Sequence, residues 1–294
     1  MDEQKVELRK IRDFSDNLND TILFIRQNFK TLLTSFITIA GIFMLAAAIL
    51  SGIYQNEMGG ILQQIFNRKT RETVSPASLF NGTYFLVLLF AWLNYVAMQV
   101  VVISYVKVYE LKNGETPLIE EVWNVFKRYF FKVFLYSIPI TVLIFLGFVL
   151  CLVPGIYLAV VFVPFPVILI IEDRTFGEAY NRCLQLIRDN FWISLGIYLL
   201  TYIISAFSGG IISLVLGGIT GLISYFTTKD INAVIIVVDA VFNIFTFIFY
   251  IVYYVSVCMH YFNLTEKYDG TGMMRKLDSI GGNNQDFDTT KEQY

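Results

Sequence analysis

Apolar residues in this chain run in long unbroken blocks, not in the short alternation of β-strands. Between Lys30 and Glu57 lie 26 residues free of Asp, Glu, Lys and Arg, and between Glu72 and Lys107 lie 34. Two tracts of 39 follow, from Lys132 to Glu172 and from Asp189 to Lys229, then one of 26 from Asp239 to Glu266. A helix that crosses a bilayer needs about 20 such residues. Buried helices of a soluble domain do not sustain that five times, so the pattern predicts an all-α integral membrane protein.

Proline and glycine divide the longer tracts. Leu152-Val153-Pro154-Gly155 reads as a tight turn between two spans, because Pro removes a ladder donor and Gly tolerates positive φ. In the second 39-residue tract, Ser208-Gly209-Gly210 and then Gly217, Gly218 and Gly221 predict a short span from Phe191 to about Phe207. A Gly-rich re-entrant or interfacial piece up to Tyr225 would follow, with one long tilted helix as the alternative. The resulting count is six transmembrane helices, at 32–54, 84–106, 133–153, 156–171, 191–213 and 233–261, within a single membrane domain over 1–281. Residues 282–294 read as a disordered tail. Lys and Arg number 18 on one side of this arrangement and 4 on the other, which predicts that both termini are cytoplasmic. The charged first 20 residues carry no apolar stretch before a cleavage site, so no removed signal peptide is expected.

Three segments leading into odd-numbered spans share a pattern: Phe24-Ile25-Arg26-Gln27-Asn28-Phe29, Val125-Phe126-Lys127-Arg128-Tyr129-Phe130 and Leu186-Ile187-Arg188-Asp189-Asn190-Phe191. Each follows an amphipathic stretch. Ile11, Phe14, Leu18, Ile22, Ile25 and Phe29 form the first stripe; Phe176, Tyr180, Cys183, Leu184, Ile187 and Phe191 form the third. Thr116-Pro117 predicts the start of the second helix, and Thr175 with Glu178 a capping box for the third. Even-numbered spans leave through Glu110-Leu111-Lys112-Asn113-Gly114, Glu172-Asp173-Arg174-Thr175-Phe176-Gly177 and Glu266-Lys267-Tyr268-Asp269-Gly270. The fold expected is three repeated units, each an interfacial amphipathic helix plus a transmembrane hairpin. Arg26, Lys30, Lys127, Arg128, Arg182 and Arg188 would then reach lipid headgroups, or the helices would simply brace the bundle.

Composition narrows the chemistry. The chain is 56% hydrophobic, 16% aromatic and 16% charged, against about 25% charged in soluble domains. A net charge of −2 offers no bulk field for nucleic acid, and Cys151, Cys183 and Cys258 make neither a disulfide framework nor a metal knuckle. No cofactor is expected. Asp239 is the acidic residue well inside a predicted span, and Asn243 lies one turn deeper. With Asn94 and Gln99 these residues are expected to form a polar cluster inside the bundle, or else to act as hydrogen-bonding glue between helices. Pro139, Pro164 and Pro166 interrupt spans, either as ordinary kinks or by freeing carbonyls to line a site. Gly217 and Gly221 make a small-xxx-small pair, and Asn81-Gly82-Thr83 matches a glycosylation sequon at the membrane edge. His260 and Cys258 lack further ligands in reach, and Cys183 lacks a companion His, so neither metal nor nucleophile chemistry is expected of them.

Leu152-Val153-Pro154-Gly155-Ile156-Tyr157, the Pro-bearing span, Glu172 and Arg188-Asp189-Asn190-Phe191-Trp192 together resemble the membrane domain of some bacterial glycerophosphoryl diester phosphodiesterases. The exit from Tyr261 to Gly272 is similar to that of related stand-alone multi-pass proteins. The resemblance implies a bacterial cytoplasmic (inner) membrane location. It carries no catalytic group, because the phosphodiesterase barrel of those enzymes has no counterpart among soluble segments under about 35 residues. Two functions are expected: a non-enzymatic subunit or scaffold of a membrane complex, and a transporter or lipid-handling protein using the cluster around Asp239. Expected partners are membrane lipids and a membrane protein or a second copy of the chain.

Overall fold

A computed structural model describes residues 5–66, 80–226, 246–270, 272 and 274, and every regular element among them is helical. In chain order these are α1 (Phe14–Phe66), α2 (Gly82–Leu111), α3 (Ile119–Leu150), α4 (Leu152–Val161), α5 (Phe165–Ile171), α6 (Phe176–Ile187), α7 (Phe191–Phe226) and α8 (Tyr250–Asp269). Six segments are long and apolar enough to cross a bilayer: Phe14–Gln55, Gly82–Leu111, Ile119–Leu150, Leu152–Ile171, Phe191–Ile211 and Thr246–Asp269. This is the architecture of a multi-pass helical membrane protein, with the six spans predicted from five uncharged tracts once the Pro154–Gly155 region divides one of them. The last described span begins at Thr246; residues 233–245 of the expected one lie outside the described residues, as do Asp239, Asn243 and the tail at 282–294.

Burial separates central from peripheral helices. Residues 96–106 of α2 are buried on every face, which suits a stretch without a polar stripe. α2 packs against α1, α3, α5 and α8. The most apolar windows of α8 and of the α4–α5 span are 67% and 61% buried, whereas that of α3 is 17% buried. α3 therefore lies at the periphery, with Phe131, Leu135, Phe145 and Leu146 turned outward.

The structure moves one expected turn and decides between the alternatives at three other places. The turn between the third and fourth spans lies at the extended Cys151, one residue before the expected tetrapeptide, and Pro154 falls in the first turn of α4. Gly155 instead allows a close helix approach: a Cβ there would meet Phe148 Cγ and Cδ1 at 2.5 Å. Pro139 sits inside a continuous α3. Between α4 and α5 the helix does break before Pro164, but Val163 N–H donates to Val160 O (3.3 Å) and Phe165 N–H to Phe162 O (3.2 Å). Tighter turns thus take up carbonyls that an open break would leave free, and Pro166 occupies the first turn of α5. The glycine-rich stretch is no re-entrant piece, because α7 continues through it for 36 residues. Gly209 marks another close approach there, since a Cβ would meet Thr246 Cγ2 at 2.5 Å.

The three rim helices also differ from one another. α6 is separate, capped where Glu178 accepts from Thr175 N–H (2.9 Å) and Oγ1–H (2.8 Å). The first and second are continuous with their spans. In α3 the start falls after Pro117, with Leu118 as cap and its N–H bonded to Glu121 (2.7 Å). Along the start of α1 the expected stripe is turned out: Phe14, Ile22 and Phe29 are exposed, while Asn17, Thr21, Phe24 and Asn28 are buried. The polar side chains there bond inward, as with Asn28, which donates to Phe24 O (3.0 Å) and accepts from the Tyr105 hydroxyl (3.1 Å).

Candidate functional site

Charged residues gather at one end, where the start of α1, the α2–α3 link, α6 and the end of α8 meet. Arg12 is 1% exposed; it pairs with Asp20 (2.7 Å) and donates to Leu8 O (2.7 Å) and Glu7 O, which folds the N-terminal segment onto the bundle. Arg9 joins this segment to Glu110 of α2 (2.7 Å) and stacks over Phe262 of α8. Glu172 accepts from Tyr261 Oη (2.8 Å), Arg182 Nε (3.3 Å) and Arg174. Arg182 also donates to Asp269, and although burial works against its charge, Asp269 and Glu172 outweigh that and raise its pKa. Of the six expected headgroup cations, Arg182 is therefore committed inward. Arg26, Lys30, Lys127, Arg128 and Arg188 are exposed, with Lys127 lying over the Trp123 ring and Arg128 paired with Asp173.

Toward the opposite end the helices leave a recess that opens to the surface beside Ala91, Tyr95 and Tyr202. A cavity of about 330 Å³ lies between α1, α2, α7 and α8, within the size range of small-molecule sites. Its origin is a mismatch of side-chain size. Ala47, Ala48 and Ser51 of α1 and Ala91 of α2 face Tyr202, Tyr250 and Tyr254, and the short side chains do not fill the space between. The tyrosines form a connected cluster: Tyr202 lies 6.1 Å from Tyr250 and 5.9 Å from Tyr253, and Tyr254 lies 6.2 Å from Tyr95. Asn94 lines the cavity at 3% exposure. Its Oδ1 and the Tyr254 hydroxyl are both enclosed with no hydrogen-bond partner among the described residues. A buried polar atom left that way costs about 1–3 kcal/mol. The site thus combines a greasy aromatic wall with an acceptor and a hydroxyl that need a partner.

The expected polar cluster is met in part. Asn94 lines the cavity; Gln99 is buried but does not; Asp239 and Asn243 lie outside the described residues. The tyrosines are not among the expected residues. Their signal is present in Tyr250, Tyr253 and Tyr254, since a phenol placed within an apolar helix carries a hydroxyl that must be accommodated.

Remaining candidates have structural employment. His260 Nε2 lies 2.8 Å from Ser194 Oγ, edge-on to Tyr198, deep between α7 and α8. Cys183 is buried, which pushes its thiol pKa well up and away from a thiolate. Asn81 caps α2 by accepting from Tyr84 N–H (2.9 Å) and donates to Glu57 (2.8 Å), so the sequon residues tie α2 to α1. Among the described residues no three His, Cys, Asp or Glu side chains gather as metal ligands. No protein-family model, curated protein or solved structure matches this chain.

Proposed function

We propose that the protein is a lipid-handling membrane protein that holds one amphipathic molecule in the cavity between α1, α2, α7 and α8. The observation that carries this reading is a cavity of about 330 Å³ bordered by Asn94 and Tyr254, whose enclosed Oδ1 and Oη find no hydrogen-bond partner among the described residues. An occupant with an apolar body and a hydroxyl or amine head would satisfy Asn94 by donating to it, and its chain would lie against the tyrosine faces. On this reading the protein does no covalent chemistry, and both termini are cytoplasmic in a bacterial inner membrane. Kinship with the membrane domain of glycerophosphoryl diester phosphodiesterases belongs to the same proposal and brings no activity with it.

The test is extraction of the purified protein from mild detergent, with mass analysis of what it carries. Wild type is expected to hold a lipid-class molecule that Ala91→Leu, which fills the cavity, excludes. Asn94→Leu should lose the molecule while stabilising the empty protein, by removal of an unpaired acceptor worth about 1–3 kcal/mol. Equal occupancy in wild type and Ala91→Leu would overturn the proposal. A second reading, a scaffold subunit, draws on the ion-paired basic end that clamps four chain segments together; a stable partner or second copy in the same preparation would favour it.

A further inference from the structure

At the basic end three cations converge on one tyrosine. Lys107 Nζ of α2, half-buried, donates to Ile170 O (2.5 Å) and to the Tyr129 hydroxyl (3.1 Å), lies 4.7 Å from the centre of the Tyr129 ring and has its third N–H left for a ligand. The Arg128 guanidinium lies 5.5 Å from the same ring and Lys132 Nζ 5.8 Å. Facing them is Asp173, 2.9 Å from Arg128 and 3.6 Å from Lys132. Three positive charges against one negative leave a formal excess of two. Other carboxylates nearby make their direct contacts elsewhere, Glu110 with Arg9 (2.7 Å), Glu178 in its own helix cap and Glu172 with Arg174, Arg182 and Tyr261, so that Glu110 and Glu178 act on Lys107 and Lys132 only through space.

A further feature points to a ligand. Along α3 the cations continue into grease: Arg128, Phe131, Lys132 and Leu135 share one face at helical spacing, and Phe131 and Leu135 are exposed there. A charged head at Arg128 and Lys132 thus has an apolar track running deeper beside it. Basic pockets between transmembrane helices bind anionic headgroups by this combination.

We propose that Lys107, Arg128 and Lys132, held together by Asp173 and Tyr129, bind the phosphate of an anionic phospholipid whose acyl chain lies along Phe131 and Leu135. Asp173 keeps the two α3 cations converged and leaves charge over for the headgroup. The site is distant from the cavity and stands or falls independently of it.

The purified protein would be titrated in mild detergent with phosphatidylglycerol, phosphatidylcholine or inorganic phosphate, and occupancy read by native mass spectrometry. Phosphatidylglycerol is expected to bind at least tenfold better than phosphatidylcholine, and Arg128→Gln/Lys132→Gln should remove that preference. Lys10→Gln/Lys267→Gln subtracts the same charge at two exposed positions elsewhere and should retain it. Loss of preference in the control pair, its survival in the α3 pair, or inorganic phosphate competing as well as the lipid would each overturn the proposal.

Discussion

Adding one methyl group at Gly155 tests how closely α3 and α4 are packed. Its Cβ would stand 2.5 Å from Phe148 Cγ and Cδ1 and 2.9 Å from Phe148 Cα, where ordinary van der Waals separation begins near 3.4 Å. The ring could swing aside, since Phe148 faces outward. The main chain cannot, because moving it means sliding one helix along the other. The two backbones already approach closely at this crossing, since a Cβ built on Gly147 would lie only 3.2 Å from the Gly155 Cα. Overpacking costs about 1–3 kcal/mol, and replacing a helical Gly returns about 0.5–1 kcal/mol. Gly155→Ala is therefore expected to lose about 1–2 kcal/mol net, roughly a 5–30-fold shift in the unfolding equilibrium. Gly210→Ala in α7, where a Cβ meets nothing within 4 Å, should gain about 0.5–1 kcal/mol. Both can be read by titrating detergent-solubilised protein with dodecyl sulfate and following far-ultraviolet circular dichroism. Adding Phe148→Ala to Gly155→Ala should recover only part of the loss, because the ring is removed while the backbone of residue 148 still crowds the new methyl group. Equal stability of the Gly155→Ala and Gly210→Ala proteins would refute the close-approach argument.

Two further predictions concern the basic end and the thiols. The Thr175 N–H and hydroxyl hold Glu178 below the usual carboxylate range, and the Tyr129 hydroxyl, then Arg128, Lys132 and Lys107, do the same for Asp173. A carboxylate with a depressed folded-state pKa stabilises the fold above its unfolded pKa, near 4, and that contribution is lost as pH falls through the folded value. Melting temperatures measured from pH 7 to pH 3 should therefore fall at the acid end, with a shallower fall in Glu178→Gln and in Asp173→Asn. Cys151 is exposed at the α3–α4 turn, whereas Cys183 and Cys258 are buried. Maleimide should label one thiol in the folded protein and three after denaturation, and in intact cells an impermeant maleimide should reach Cys151 from outside. Rapid labelling of two thiols in the folded state would contradict the burial, and protection of Cys151 in cells would contradict the orientation.

Long uncharged tracts, with a Pro-Gly turn dividing one of the five, determined from the sequence alone a helical chain with six segments able to span a bilayer, which the described residues show, because burying such lengths is a one-dimensional requirement that neighbours cannot alter. Thr175 with Glu178 was legible for the same reason: a cap needs residues three apart and nothing else. What lay beyond the sequence was which face of each helix meets which partner. The exposed stripe at the start of α1 looks amphipathic in the usual sense, yet lipid inverts the meaning of a greasy face, and only packing shows that Asn17 and Asn28 point inward. Asn94 was legible as a polar residue in a span, but the cavity beside it was not. That void arises from Ala47, Ala48 and Ala91 on two helices facing tyrosines on two others, a mismatch of sizes brought together across about 200 residues of chain. Convergence of Lys107, Arg128, Lys132 and Asp173 is of the same kind, since helix periodicity relates Arg128 to Lys132 and tertiary packing alone brings Lys107 and Asp173 beside them.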